Sequence, residues 1–216
     1  MAKYPIFLDL TGRRVLVVGG GVVAVRKARS LVAAKARLVV VAEKVNDVLT
    51  GLCTDSGSEL IRSKYSKDYL AGAVLVIAAT NDQRLNRRIY KDCQELEVLC
   101  NVVDQPELCD FYVPAVVSRG DLQIAIGTEG HCPAYAGHIR KKLEQIFTEK
   151  HGEFLAELEM LRERIVKDVP DPGDRTTLLG ELVDDESFEY FARSGPAAWR
   201  DRAEKTIQDA STKPGA

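Results

Sequence analysis

With 216 residues, 45% of them hydrophobic and 29% charged, the chain has the composition of a folded protein and not of a disordered one. A formal net charge of -2 gives it no global attraction for nucleic acid or an anionic membrane, so any hold on an acidic ligand must come from local clusters. The opening MAKYPIFLDLTGRR has no long apolar segment ending in a small-residue cleavage site. No later run approaches the roughly 18 apolar residues of a membrane helix, and a cytoplasmic location is expected. The cysteines (Cys53, Cys93, Cys100, Cys109 and Cys132) are odd in number, scattered and without a Cys-x-x-Cys, so they read as reduced thiols and not as a disulfide framework or a zinc site.

From Arg13 to about Asn101, short β-branched runs alternate with amphipathic stretches, the pattern of parallel βαβ units. Strands are predicted over 14–18, 37–42, 59–62, 73–79 and 97–101. A helix over 22–34 puts Val22, Val25, Ala28, Leu31 and Val32 on one face, with Arg26, Lys27 and Arg29 largely off it. A second, over 83–95, repeats Leu85, Ile89 and Cys93 at four-residue spacing. Strands that are apolar throughout need helices on both faces, so this part is predicted to be α/β, a doubly wound Rossmann-like parallel sheet.

After Asp104 the pattern changes. FYVPAVVSRGDLQIAIGT reads as two strands joined at SRGD, with Pro114 inside the first as the mark of an edge or a bulge. A helix begins near Pro133 and helical spacing continues to VPDPGD; two or three short helices follow, and the final STKPGA is expected to fray. The expected division is 1–111 for the nucleotide-binding sheet, 112–149 for the hairpin and its helix, and 150–216 for an all-helical region.

Gly19, Gly21 and Ala24 satisfy G-x-G-x-x-[GA] between a predicted strand and a predicted helix, the context in which that motif carries information. The first glycine permits a tight turn, the second lets a pyrophosphate approach the backbone, and a small third residue lets the helix pack on the sheet. The helix N-terminus then offers N–H groups and a positive dipole end. The alternative is a structural turn in a sheet that binds nothing. Glu43, at the end of the second strand, stands where a carboxylate can accept the ribose hydroxyls of NAD and repel a 2'-phosphate; Lys44 beside it weakens that preference, and the alternative is that both are solvated residues at a loop entry. In AATNDQRLN, Thr80 follows the fourth strand where a nicotinamide-ribose end can lie, while Asn81 and Asp82 can simply cap the next helix.

Ligands of open α/β sheets sit outside the carboxyl ends of the strands, which places CNVVDQPELCDF where a substrate meets a cofactor. Asp104 is the acid/base candidate there, able to accept a proton as a hydride leaves, although DQP is also an ordinary loop sequence; Glu107 and Asp110 are rivals. Further on, Arg119, His131, His138, Arg140, Lys141 and Lys142 suit a ligand with several carboxylates, or form a solvated helix face. His131, Cys132 and His138 lack a recognised metal-ligand spacing, and no metal site is predicted.

Four motifs in order, PIFLDLTGRRVLVVGGGVVAVRKA, AATND...LN, CNVVDQPELCDFYVPAVVSRGDLQIAIGT and CPAYAGHIRKKLE, resemble the siroheme-synthase N-terminal domain family over about residues 4–150. The resemblance implies a precorrin-2 dehydrogenase: NAD takes a hydride from the tetrapyrrole precorrin-2 to give sirohydrochlorin, and some members also insert iron as ferrochelatases. It implies a homodimer formed through the hairpin and following helix, and a substrate with eight carboxylates, which gives the basic cluster a role. Carried over by motif, the NAD site falls on Gly19, Gly21, the Val22–Val23 backbone, Glu43 and Lys44, to which the reading of the fourth strand's end adds Thr80. The family's essential aspartate is Asp104, either the proton acceptor of the dehydrogenation or the group that assists pyrrole deprotonation during metal insertion, and Arg119, Thr128, His131 and Arg140 are expected to meet the tetrapyrrole. After the second hairpin strand family sequences often read Ser-x-Gly-Gly-x-Ser-Pro; this chain reads GTEGHCP, with Thr128 and Cys132 at the hydroxyl positions and Glu129 in place of a small residue. A different class of reading is a non-catalytic NAD(H) sensor, which needs Gly19, Gly21 and Glu43 but has no use for Asp104 or the basic cluster.

Overall fold

A computed structural model of the chain describes residues 3–212, with side chains through 208. Five short strands, β1 (Arg14–Val18), β2 (Arg37–Val41), β3 (Glu59–Ile61), β4 (Leu75–Ala78) and β5 (Leu99–Val102), form one parallel sheet in the order β3-β2-β1-β4-β5. The crossovers carry α1 (Val22–Ala33), α2 (Asp47–Ser56) and α3 (Gln83–Glu95). Successive side chains of a strand point to opposite faces, and here both faces are apolar, which is why a doubly wound sheet results. Leu16, Val18, Val39, Val41, Val76 and Ala78 pack with Ile89 and Cys93 of α3 on one side. Val15, Val17, Leu38, Val40, Leu75 and Ile77 pack with α1 and α2 on the other.

The elements differ from the expected ones mainly at strand ends. β5 begins two residues later than expected because Glu97 (φ 55) sits in the left-handed region that closes α3, so the chain cannot become extended before Val98. The structure adds the helix α2 between β2 and β3: Asn46 caps it, accepting from the Val48 N–H at 2.8 Å, and Gly57 (φ 65) ends it. Asp82 does cap α3, its carboxylate accepting from the N–H groups of Arg84 and Leu85 at 2.9 and 3.1 Å.

The chain divides into two compact units, Met1–Val113 and Pro114–Ala216. The second opens with an antiparallel hairpin, β6 (Ala115–Arg119) and β7 (Leu122–Ile126), turning at Gly120 (φ 56). Pro114 lies just before β6 and not within it, since a residue without an N–H cannot join the ladder. Four helices follow: α4 (Pro133–Ile146), α5 (Glu149–Asp168), α6 (Pro172–Leu182) and α7 (Asp185–Thr212). The helical spacing after Pro133 is therefore interrupted, at Phe147 and Thr148, where Thr148 and His151 cap α5 reciprocally. The helix α7 is kinked at Gly195 (φ 83), ahead of Pro196. Phe154, Leu161, Ile165, Leu178, Phe191 and Trp199 make the helical core. Buried Trp199 donates its indole N–H to the Ser187 hydroxyl at 2.8 Å, which donates to the Leu182 carbonyl at 2.9 Å. Of the end expected to fray, Ser211 and Thr212 are still helical, and 213–216 lie outside the described residues. Among the described residues no helix is long and apolar enough to cross a membrane.

Candidate functional site

The carboxyl ends of β1, β2 and β4 open into a cleft of about 720 Å³, lined by the turn Gly19–Gly21, by 41–46 after β2, by Ser63, Lys64 and Tyr65 after β3, and by Ala79–Asp82 after β4. It lies where the strand order reverses between β1 and β4, the place at which open α/β sheets take their ligands, and its volume is in the range of small-molecule sites. Gly19, Gly21, Glu43, Lys44 and Thr80 all line it. Val22 and Val23 do not; they begin α1, with the Val22 side chain 76% exposed.

The three glycines have different jobs. Gly19 adopts φ 129, and a Cβ there would lie 2.3 Å from the Ala79 carbonyl oxygen; a Cβ on Gly20 would lie 2.1 Å from the Lys44 carbonyl oxygen. Both are needed for the turn to pass between its neighbours, whatever binds. Gly21 has nothing within 4 Å of its absent Cβ, so no packing inside the protein demands a glycine there. Gly21 is also the N-cap of α1, which has no side-chain cap and no acidic residue in its first turn. The first helical hydrogen bond runs from Val25 N–H to Gly21 C=O, so the amides ahead of it stay available to an anion. A glycine with room beside it, next to uncapped amides, is what a pyrophosphate requires. The sequence motif treats Gly20 as a free position; the structure makes it as confined as Gly19.

The β4–α3 turn is held from beneath by Asn86, only 2% exposed in the first turn of α3. Its Nδ2 donates to the Thr80 carbonyl at 3.0 Å, and the Thr80 hydroxyl donates to its Oδ1 at 2.6 Å. The same hydroxyl accepts from the Asp82 N–H at 3.2 Å. Its one proton is engaged, so it can offer a ligand only a lone pair. Asn86 closes the AATND...LN motif in the sequence, but neither its burial nor its bonds to Thr80 can be read there.

Asp104 follows β5 at the same carboxyl edge of the sheet but does not line the cleft. It is exposed and occupies the third position of a turn closed by the Gln105 N–H on the Val102 carbonyl at 3.3 Å. Its φ of 60 is a left-handed conformation that costs an ordinary L-residue about 1–2 kcal/mol and is tolerated better by aspartate and asparagine than by most. Lys27, expected off the apolar face of α1, is half-buried; burial lowers its pKa, while the nearby Cys109 and Asp104 pull the other way. The rival Asp110 is committed to the fold: its carboxylate accepts from the Cys100 N–H at 2.8 Å and from the Gln94 amide at 3.1 Å, covering the free edge of β5. Glu107 is exposed in a short 3-10 turn.

The second unit distributes its predicted ligand-binding residues over two places. Arg119, at the hairpin turn, donates through Nε to the Phe147 carbonyl at 2.8 Å and through Nη2 to the Glu144 carbonyl at 3.2 Å, closing the C-terminus of α4. Arg140 pairs with the Glu144 carboxylate one turn along α4. Thr128 and His131 are at the other end of β7, in the turn leading to α4, where the His131 N–H meets the Thr128 carbonyl at 2.9 Å and the exposed Glu129 has φ 50. Cys132 is exposed at the N-cap of α4, and the remaining cysteines are buried free thiols. Among the described residues no three His, Cys, Asp or Glu side chains are grouped so as to hold a metal ion.

A family model described as "Putative NAD(P)-binding" matches residues 6–115, and one described as "Sirohaem biosynthesis protein central" matches 119–146. A siroheme synthase of Psychrobacter arcticus is 42% identical over 152 residues, 70% of this chain and 28% of that protein. One of Pseudomonas aeruginosa is 37% identical over 205 residues, 95% of this chain and 43% of that protein. The chain thus spans less than half the length of these curated relatives. A solved structure, SirC, a precorrin-2 dehydrogenase, superposes with a TM-score of 0.78 at 26% identity, covering 94% of this chain and 100% of that one.

Proposed function

We infer the reaction from kinship and geometry together: the chain belongs to the siroheme-synthase N-terminal domain family, and we propose that it dehydrogenates precorrin-2 to sirohydrochlorin with NAD. The observation that carries this reading is the contrast within the glycine turn, where Gly19 and Gly20 are crowded by backbone and Gly21 opens onto the cleft. NAD, when bound, supplies the hydride acceptor. In this reading the amides of Val22 and Val23 meet the pyrophosphate, Glu43 accepts the adenosine ribose hydroxyls with Lys44 beside it, and Thr80 lies along the nicotinamide half.

Precorrin-2 and sirohydrochlorin differ by two hydrogens, so loss of a hydride must be matched by loss of a proton. The proposed acceptor of that proton is the Asp104 carboxylate, held at the sheet edge by a turn that a glycine would make with less strain. Lys27 lies half-buried near it. Arg119, Thr128, His131 and Arg140 are proposed to answer the substrate's carboxylates; Thr128 and His131 are the better placed, because the two guanidinium groups already have partners at the end of α4. The division expected from the sequence (1–111, 112–149 and 150–216) is proposed as one of roles, with the hairpin and α4 pairing two copies in a cytoplasmic homodimer.

The test is calorimetric titration of NAD into the intact protein and into Gly21→Val. A valine side chain projecting into the cleft is expected to raise Kd at least about tenfold, or 1.4 kcal/mol. Equal affinity would place the phosphates elsewhere.

A further inference from the structure

We propose that Asn86 is a positioning residue for the dinucleotide: from beneath the cleft, and without reaching it, it fixes both the backbone and the hydroxyl of Thr80. The inference rests on the reading of the cleft as an NAD site. Its ground is a buried polar side chain whose two ends are both engaged by one residue. A backbone carbonyl can only accept, so the amide nitrogen of Asn86 must face Thr80 O, at 3.0 Å, and its oxygen is left to take the Thr80 hydroxyl proton, at 2.6 Å. The two bonds close a ring across the β4–α3 turn. The only side chains able to do this from the first turn of α3 carry a donor and an acceptor on one planar group.

The consequence reaches further than Thr80. The Ala79 carbonyl lies against Gly19, and that close approach sets how the phosphate turn passes over β4. Leaving Thr80 unanchored frees the segment against which the glycine turn rests, so the wall carrying Thr80 and the turn offering the α1 amides lose their mutual setting. Burying a polar amide in α3 is unfavourable unless both its ends are bonded, and Ile89 one turn further on shows that the same helix face is otherwise apolar. The asparagine therefore serves the turn and not the core.

The experiment is NAD titration into the intact protein, with thermal melts alongside, for the wild type, Asn86→Asp, Thr80→Val, the double variant and Ile89→Val. Asn86→Asp keeps the size and the acceptor but cannot donate to the Thr80 carbonyl. It is expected to raise Kd at least about tenfold, and the double variant to add no more than about twofold beyond the worse single one, because the two residues act as one unit. In turnover the KM for NAD should rise with kcat held within about threefold, as for lost uniform binding. Ile89→Val thins the same helix face without touching the turn, and should lower the melting temperature while leaving Kd within about twofold. The inference is overturned if Asn86→Asp binds NAD as the wild type does, or if Ile89→Val weakens binding equally. Should Asn86→Asp fail to fold, Asn86→Ser, which removes both bonds and leaves Thr80 itself intact, decides alone: unchanged affinity overturns the inference and affinity at least about tenfold weaker supports it. A wild-type protein that binds no NAD overturns the cleft reading itself, a result distinct from all of these.

Discussion

Gly19 and Ala79 touch backbone to backbone: a Cβ on Gly19 would fall 2.3 Å from the Ala79 carbonyl oxygen, which ties the turn after β1 to the turn after β4. Gly20 is as tightly confined by Lys44, and Gly21 is not confined at all. Substitution should separate them. Gly19→Ala and Gly20→Ala are expected to lose at least about 1–3 kcal/mol of stability with or without NAD, as overpacking does. Gly21→Val should lose no more than about 1 kcal/mol, the scale of a helix cap, its main effect being on NAD affinity. Denaturant melts with and without NAD distinguish the two patterns.

Asp104 adopts φ 60 at a turn position where glycine is the unstrained choice. Asp104→Gly is therefore expected to be as stable as the wild type or up to about 1 kcal/mol more so, while turnover disappears. Asp104→Asn, which tolerates the same conformation, should match the wild type in melting temperature and lose at least about a hundredfold in kcat, the low end of what general acid–base catalysis contributes. An asparagine variant that turns over normally removes Asp104 from the chemistry.

Gly152, in the first turn of α5, is the seat of the hairpin. A Cβ there would meet the Arg119 carbonyl oxygen at 2.5 Å and the Gly120 nitrogen at 3.1 Å. Helix propensity favours alanine over glycine by about 1 kcal/mol, yet the contact is backbone on both sides and cannot yield cheaply. Gly152→Ala is expected to destabilise by about 1–3 kcal/mol in urea melts. A stabilised variant would show that propensity outweighs the contact.

Arg119 anchors the same junction through the carbonyls of Phe147 and Glu144. Arg119→Ala should cost about 1.5–3 kcal/mol, the range for hydrogen bonds from a charged group. Arg119→Lys should recover only part of that, since an ammonium lacks the planar fork that spans two carbonyls. Melting the variants without substrate measures this contribution apart from any effect on precorrin-2.

The sheet was legible because each buried strand is a β-branched run that both faces must cover, and α3 was legible to the residue because Asp82 announces its start. What escaped depended on partners far away in sequence or on conformation. The start of β5 waits on Glu97, a non-glycine in the left-handed region, and α2 buries only Leu49 and Cys53, too few to show as a period. Glycine spacing marked the phosphate turn without telling Gly20, confined by Lys44, from a free position. Spacing put Lys27 outside the apolar face; that it is half-buried near Asp104 follows from β5 and its loop. Arg119 reads as one cation of a cluster until its carbonyl partners, 28 and 25 residues on, are in place. Asn86 ends the AATND...LN motif, but its burial carries no sequence mark, because a polar residue on a helix is ordinarily a surface one.

The proposed reaction is tested by mixing the protein with NAD and enzymatically generated precorrin-2 without oxygen, following NADH absorbance and the sirohydrochlorin spectrum together. Both are expected to rise in equal amounts, and Asp104→Asn to slow the rise at least about a hundredfold while still binding NAD. A wild-type protein that binds NAD yet forms neither product would contradict the proposed reaction.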